Sequence, residues 1–213
     1  MTAAPSLARA SLKFKPLPQI ERLHQAFELR NGVLFWRWRG DVPPKVNGRY
    51  AGKPAGWLRP DGRLEVCFDG VRYRVHRIVF AMTSGSDPLE RDVDHKDRDR
   101  GWNAPSNLRA ATRSENNHNS GERSDNKSGQ KGVSFVGREQ KWKSAIGIYG
   151  KTISLGYHSS FDVASKVYRF ASAILLTEFS PYYPDALAYE NEIDAMHAKG
   201  DLKFSVRERC ARL

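Results

Sequence analysis

Cysteine is scarce in this chain: only Cys67 and Cys210 occur, 143 positions apart. That spacing offers neither a disulfide scaffold nor a thiolate zinc framework, so a metal would have to be held by oxygen and nitrogen ligands. Long apolar runs are also lacking. No stretch approaches the roughly 20 apolar residues that cross a bilayer, and the opening segment MTAAPSLARASLKFKPLP has no apolar core of the secretory kind. The expectation is a cytoplasmic protein with no membrane partner and no small-molecule cofactor.

Charge, by contrast, is abundant and one-sided. Thirty-five Lys and Arg face 24 Asp and Glu, a formal net charge of +11, which points to a polyanionic partner. The distribution says more than the total. Residues 1–89 carry 15 basic and 7 acidic side chains, residues 90–130 carry 8 of each, and residues 131–180 carry 7 and 3. Two basic regions flank a segment rich in both signs. The basic regions suit a phosphate backbone, and local carboxylates suit a divalent cation. Double-stranded DNA is the expected partner.

Along the chain, residues 1–17 read as a flexible arm. Ile20, Leu23, His24 and Phe27 have helical spacing, predicting a short helix that ends near Asn31-Gly32. From residue 33 to 80 the period switches to two. VLFWRWRG, GRLEVCFDG and VRYRVHRIVF read as strands of antiparallel hairpins, with turns at Asp61-Gly62 and Asp69-Gly70. Trp36, Trp38 and Trp57 are assigned to packing rather than to base stacking. Residues 121–130 form a polar linker. GVSFV, KWKSAIGIY and KTISLG then predict three strands, the last turn falling at Gly150-Lys151. A helix follows from about Asp162, with Ser159 and Asp162 at a capping-box spacing. A weaker helix is predicted between Pro184 and Lys199, in a C-terminal tail that spans 184–213.

The chemistry concentrates in VDHKDRDRGWNAPSNLRAATRSENNHN, residues 93–119. Asp94-His95 is followed by Asn107 after twelve positions and by Asn116 after nine more. Thr112 and Glu115 form a capping box that predicts a helix carrying Asn116. A strand end, a loop and a helix would thus bring an acid, an imidazole and two amides together. Phosphodiester hydrolysis requires a base near neutral pKa and a cation for the charge that develops. A carboxylate and an amide oxygen are hard donors suited to Mg2+ or Mn2+. Asn107 could orient His95 by a hydrogen bond, Arg109 and Arg113 could hold phosphate oxygens, and His118 is an alternative to Asn116 as ligand. His76 could lie beneath the site or be a hydrogen-bonded core residue.

Over residues 18–120 these features, together with Asp61-Gly62, YRVHRIVF, NLR and ENNHN, resemble HNH endonucleases of the phage and homing type. The resemblance implies a ββα-metal fold, His95 as general base, Asp94 and Asn116 as metal ligands, and Asn107 as the residue that positions the base. It also implies a host-cell cytoplasmic location if the chain is phage-encoded. The loop DRDRGWNAPS departs mildly from the family's usual sequence but keeps its length.

Residues 131–183 resemble an AP2-type DNA-binding domain through Lys131-Gly132-Val133, Lys141-Trp142, Ala145-Ile146, Gly150-Lys151, Leu155-Gly156-Tyr157, Tyr168 and Ala171. The resemblance implies a three-stranded sheet backed by a helix, with the sheet entering the major groove. Strand alternation puts Trp142, Ser144, Ile146 and Ile148 toward the helix, and Lys143, Ala145, Gly147 and Tyr149 toward DNA. Lys131, Ser134, Arg138, Lys143, Tyr149 and Lys151 are the expected contacts. Ser134, Ala145 and Gly147 stand where plant members of that family carry arginines, so phosphate positioning is expected ahead of base readout.

The expected fold class is α+β, with N-terminal hairpins leading into the ββα element. The expected function is metal-dependent DNA cleavage, nicking or double-stranded, by a monomer or dimer. The alternative is a sequence-specific DNA-binding regulator with an inactive HNH remnant.

Overall fold

The computed structural model describes residues 15–211; most of the arm expected over 1–17 lies outside them. The chain divides into two compact units, Met1–Thr112 and Arg113–Leu213. The division falls at the start of the helix predicted to carry Asn116, not in the polar segment that follows it. Among the described residues no helix is long and apolar enough to cross a membrane.

The first unit begins with helix α1 (Ile20–Ala26), which buries Leu23 and Ala26. The helix stops earlier than its spacing predicts. Asn31 and Gly32 both have positive φ, the geometry of a two-residue hairpin turn rather than of a helix end. Strands β1 (Phe27–Arg30) and β2 (Val33–Trp36) therefore pair across it, Arg30 opposite Val33. Gly32 is further constrained by a close approach, since a Cβ there would lie 2.7 Å from the backbone nitrogen of Ala104. Helix α2 (Pro44–Tyr50), which the alternating pattern hid, starts with a proline in its first turn. Strands β3 (Trp57–Leu58), β4 (Leu64–Phe68) and β5 (Val71–Arg74) form an antiparallel sheet in that order. The turns predicted at Asp61-Gly62 and Asp69-Gly70 connect them.

The largest departure follows. VRYRVHRIVF is a strand only to Arg74, and Val75–Ser84 is helix α3. Val75, Ile78, Val79 and Met82 recur at three- and four-residue intervals, are all buried, and outweigh the β-branched composition of the run. Gly85, left-handed at φ 72°, ends the helix. The core joins α1, α3 and both sheets around Phe27, Leu34, Val66, Phe68, Ile78 and Val79. Packed onto it is a hairpin of β6 (Asp92–His95) and β7 (Leu108–Ala111).

The second unit opens with helix α4 (Arg113–Asn119), which starts immediately after Thr112 as the capping spacing predicts. Strands β8 (Val133–Val136), β9 (Lys141–Ile148) and β10 (Lys151–His158) form an antiparallel sheet in the order β10-β9-β8. Ser144, Ile146 and Ile148 are buried, the alternation the sequence predicts. They face helix α5 (Phe161–Leu176), capped by Ser160, whose hydroxyl accepts from Val163 N at 3.3 Å; Ser159 is not the cap. Gly132 is required where the chain enters the sheet, because a Cβ would sit 2.0 Å from the Tyr168 ring. Helices α6 (Ala186–Lys199) and α7 (Val206–Cys210) pack on α5 and close the core with Ile193, Met196, Val206 and Cys210. The C-terminal segment is thus part of this unit's core.

One buried polar contact makes this unit sensitive to acid. His158 Nε2 lies 2.8 Å from Ser144 Oγ, with both residues buried. Burial, assisted by the nearby Arg209 charge, lowers the His158 pKa to about 4. The folded state therefore resists a proton that the unfolded chain accepts near its ordinary value of 6.5. Stability contributed by neutral His158 is full above that value and is lost as pH falls toward 4. Urea midpoints measured across this window should fall with acidification, and His158→Gln should flatten the fall.

Candidate nuclease site

The β6–β7 hairpin sets the site. Its register puts Asp94 opposite Arg109 and His95 opposite Leu108. Both side chains of the Asp94–Arg109 pair are buried. Arg109 Nε and Nη2 donate to Asp94 Oδ2 at 2.9 and 2.7 Å. Arg109, expected on a phosphate oxygen, is instead the buried counter-ion of the carboxylate, and the cross-strand register is the reason.

His95 is buried at the end of β6. Its Nε2 lies 2.9 Å from Oδ1 of Asn103, a residue that the spacing argument missed. An amide oxygen only accepts, so this contact puts the ring proton on Nε2. The other half of the Asn103 amide, Nδ2, is buried with no hydrogen-bond partner. A buried donor without a partner costs about 1–3 kcal/mol.

Asn107 is buried close by, but the hydrogen bond expected between it and His95 is not formed. Its Nδ2 donates to Asp97 Oδ1 at 2.9 Å and to the Trp102 carbonyl at 2.8 Å, and its Oδ1 accepts from Asp97 N at 3.1 Å. Asp97 Oδ1 accepts from Asp99 N, and Asp99 Oδ1 from Gly101 N, each a two-residue turn typical of aspartate. Asn107 thus staples the loop 97–102 that delivers Asn103 to His95. A signal for Asn103 was present: it is an uncharged amide at the exit of a loop crowded with charged turn residues.

His76, on α3, lies against the same imidazole, with ring centroids 5.1 Å apart and the planes at 63°. Burial, and then the neighbouring His95, hold its pKa well below the ordinary histidine value. Its Nδ1 has no hydrogen-bond partner. His76 is therefore a neutral neighbour beneath His95.

Residues 73–118 match the family model described as HNH endonuclease. The chain carries an HNH endonuclease domain. The protein is a nuclease acting on DNA, and Asp94, His95, Asn103, Asn107 and Arg109 all lie inside the matched segment. No curated protein and no solved structure matched the chain.

The remaining predicted residues of the nuclease belong to the second unit. Asn116 lies on α4. His118, the alternative ligand, is part-buried in the second unit, where burial and Lys131 lower its pKa. Lys131 donates from Nζ to the carbonyls of Asn117, His118 and Ser120, at 2.7, 3.3 and 3.0 Å, and so caps the C-terminal end of α4. Arg113 begins α4. Ser134, Lys143 and Tyr157 form a cross-strand row on the face of the sheet away from α5. Tyr157 is half exposed there, a position absent from the predicted set. Tyr149 sits with Gly150 in the β9–β10 turn, both at positive φ, so it occupies the tip rather than the sheet face. Arg138 and Lys151 are exposed in and beside the turns.

Proposed function

We propose that the protein hydrolyses phosphodiester bonds of double-stranded DNA, with His95 as general base and one divalent cation, Mg2+ or Mn2+, held by Asp94 and Asn116. The observation that carries this reading is the buried pairing of His95 with Asn103 beside Asp94 with Arg109. Both chemical side chains are oriented by a partner of their own. Among the described residues no three His, Cys, Asp or Glu side chains converge, so a cage of charged ligands does not fit. A carboxylate with an amide oxygen does fit an ion that keeps several waters. The case for Asn116 is made by the sequence, through its spacing from His95 and its place in the matched segment.

Oriented by the contact of its Nε2 with Asn103, His95 takes a proton from water. The oxygen of that water forms a bond to phosphorus, and the bond from phosphorus to the 3′ oxygen breaks. The products are a 5′-phosphate and, after protonation, a 3′-hydroxyl. The cation, when bound, neutralises charge on the phosphorane and on the departing oxygen. Asn103 and Asn107 are positioning residues, the first bonded to the base and the second acting through the loop. In the second unit, Ser134 and Lys143 on the sheet face, with Arg138, Tyr149 and Lys151 at the turns, hold the DNA backbone. Lys131 and Arg113 contribute to the local positive field.

Supercoiled plasmid incubated with the protein and Mg2+ or Mn2+ should become nicked or linear, and excess chelator should stop the conversion. DNA binding without metal-dependent cleavage would instead support a regulator with an inactive HNH remnant.

The Asn103 role has a signature that sets it apart from a packing role. Asn103→Leu removes the acceptor that fixes His95 and also removes the orphaned donor. The turnover rate should fall on the order of 10–100-fold, the range seen when an orienting partner is lost. The melting temperature should stay near that of the wild type, because the orphaned Asn103 Nδ2 is removed while the buried His95 Nε2 loses its acceptor. A fall in stability that parallels the fall in rate would show that Asn103 only packs.

A further inference from the structure

The first unit contains a cleft of about 450 Å³ that the nuclease chemistry does not use. Its walls are Trp36 from β2, Val46 and Tyr50 from α2, and Trp57 from β3, and Arg37 stands at its edge. The volume lies within the roughly 300–1,000 Å³ of sites that enclose a small ligand. Three aromatics in this region reach solvent: Trp57 is 40% exposed, Tyr50 43% and Trp38, next to Arg37, 65%.

Charge decides among occupants for this aromatic surface. Residues 36–59 carry six Arg and Lys against one Asp, and that Asp41 is already bonded to Arg22 and Arg39. Arg49 lies over the Tyr50 ring at 5.4 Å and Arg72 over Trp57 at 6.0 Å. A second copy of this surface would bring like charges together, and a purely apolar ligand would bring no anion to the Arg37 guanidinium, whose Nε donates to the Phe27 carbonyl at 3.0 Å. An aromatic group attached to an anion satisfies both walls and edge. In DNA that group is a nucleobase with its phosphate, and a base stacked within a paired duplex offers no free face. We propose that the cleft receives one unpaired nucleobase, stacked on Trp57 and Tyr50, with the adjoining phosphate on Arg37. The proposal rests on the DNA nuclease reading and adds to it a preference for duplexes carrying an unpaired base. Stacking of one base on aromatic side chains is worth on the order of a 5–150-fold change in affinity.

The test uses the full chain, without divalent metal, and two duplexes of the same sequence. One is fully paired, and the other carries a single-nucleotide 2-aminopurine bulge. The wild type should bind the bulged duplex about ten-fold more tightly and quench the 2-aminopurine fluorescence. Tyr50→Ala and Trp57→Ala, both at exposed positions, should each reduce that preference while leaving binding of the paired duplex unchanged. Equal binding of the two duplexes by the wild type would overturn the proposal, as would a preference that survives in both variants. A change of either variant from dimer to monomer on gel filtration would also overturn it, by assigning the surface to a second copy. Cleavage of the paired duplex with Mg2+ is measured separately. A protein that cuts but shows no bulge preference defeats the cleft alone, and one that cuts no DNA defeats the nuclease reading.

Discussion

Arg109→Ala is expected to lower the unfolding free energy by about 3–5 kcal/mol, the cost of removing one partner of a buried ion pair. The pair lies across the β6–β7 ladder, with the Arg109 side chain 9% and the Asp94 side chain 7% exposed. Two charge-assisted hydrogen bonds to a single oxygen are removed together. Denaturant titration should show a lower midpoint with an unchanged slope, since the folded surface is otherwise the same. Asp94→Asn combined with Arg109→Ala should recover part of the loss, because the neutral amide no longer demands a cation. A loss below about 1 kcal/mol, the value of an exposed pair, would show that the pair is not the buried anchor of this hairpin.

Much of this architecture was legible in the sequence, and the failures share a cause. The turns at Asp61-Gly62 and Asp69-Gly70, the three strands after residue 131, and the helices over 161–176 and 186–199 follow from local turn chemistry and periodicity. Asn31-Gly32 misled because the same dipeptide serves a helix end and a hairpin turn. Which one forms depends on whether Phe27–Arg30 finds a partner in Val33–Trp36, a pairing local patterns do not reveal. VRYRVHRIVF misled because a short run rich in Val, Ile and aromatics satisfies both periods, and only burial of Val75, Ile78, Val79 and Met82 against one core decides it.

The site shows the same limit at the level of side chains. The spacing of Asp94, His95 and Asn107 singles out one region, and the structure places these three residues on and beside the β6–β7 hairpin of the first unit. Their bonds could not be read from spacing. Arg109 meets Asp94 because of hairpin register, and Asn103 meets His95 because Asp97, Asp99 and Asn107 fold the intervening loop. Lys131, placed on DNA by its neighbourhood in sequence, is committed to the end of α4 by three backbone carbonyls.

His95 is proposed to take the proton from the attacking water. General bases contribute on the order of 10²–10⁴-fold to such reactions, and His95→Ala should lose a factor in that range. The ring is buried against Asn103 and His76, so the substitution leaves a small cavity. The near-UV circular dichroism of the variant should therefore be matched to the wild type before rates are compared. The direct measurement is single-turnover nicking of supercoiled plasmid with Mg2+ by wild-type and His95→Ala protein at saturating enzyme. The wild type should nick, and folded His95→Ala should do so at a rate at least about 100-fold lower. Folded His95→Ala protein that nicks at the wild-type rate would contradict that role.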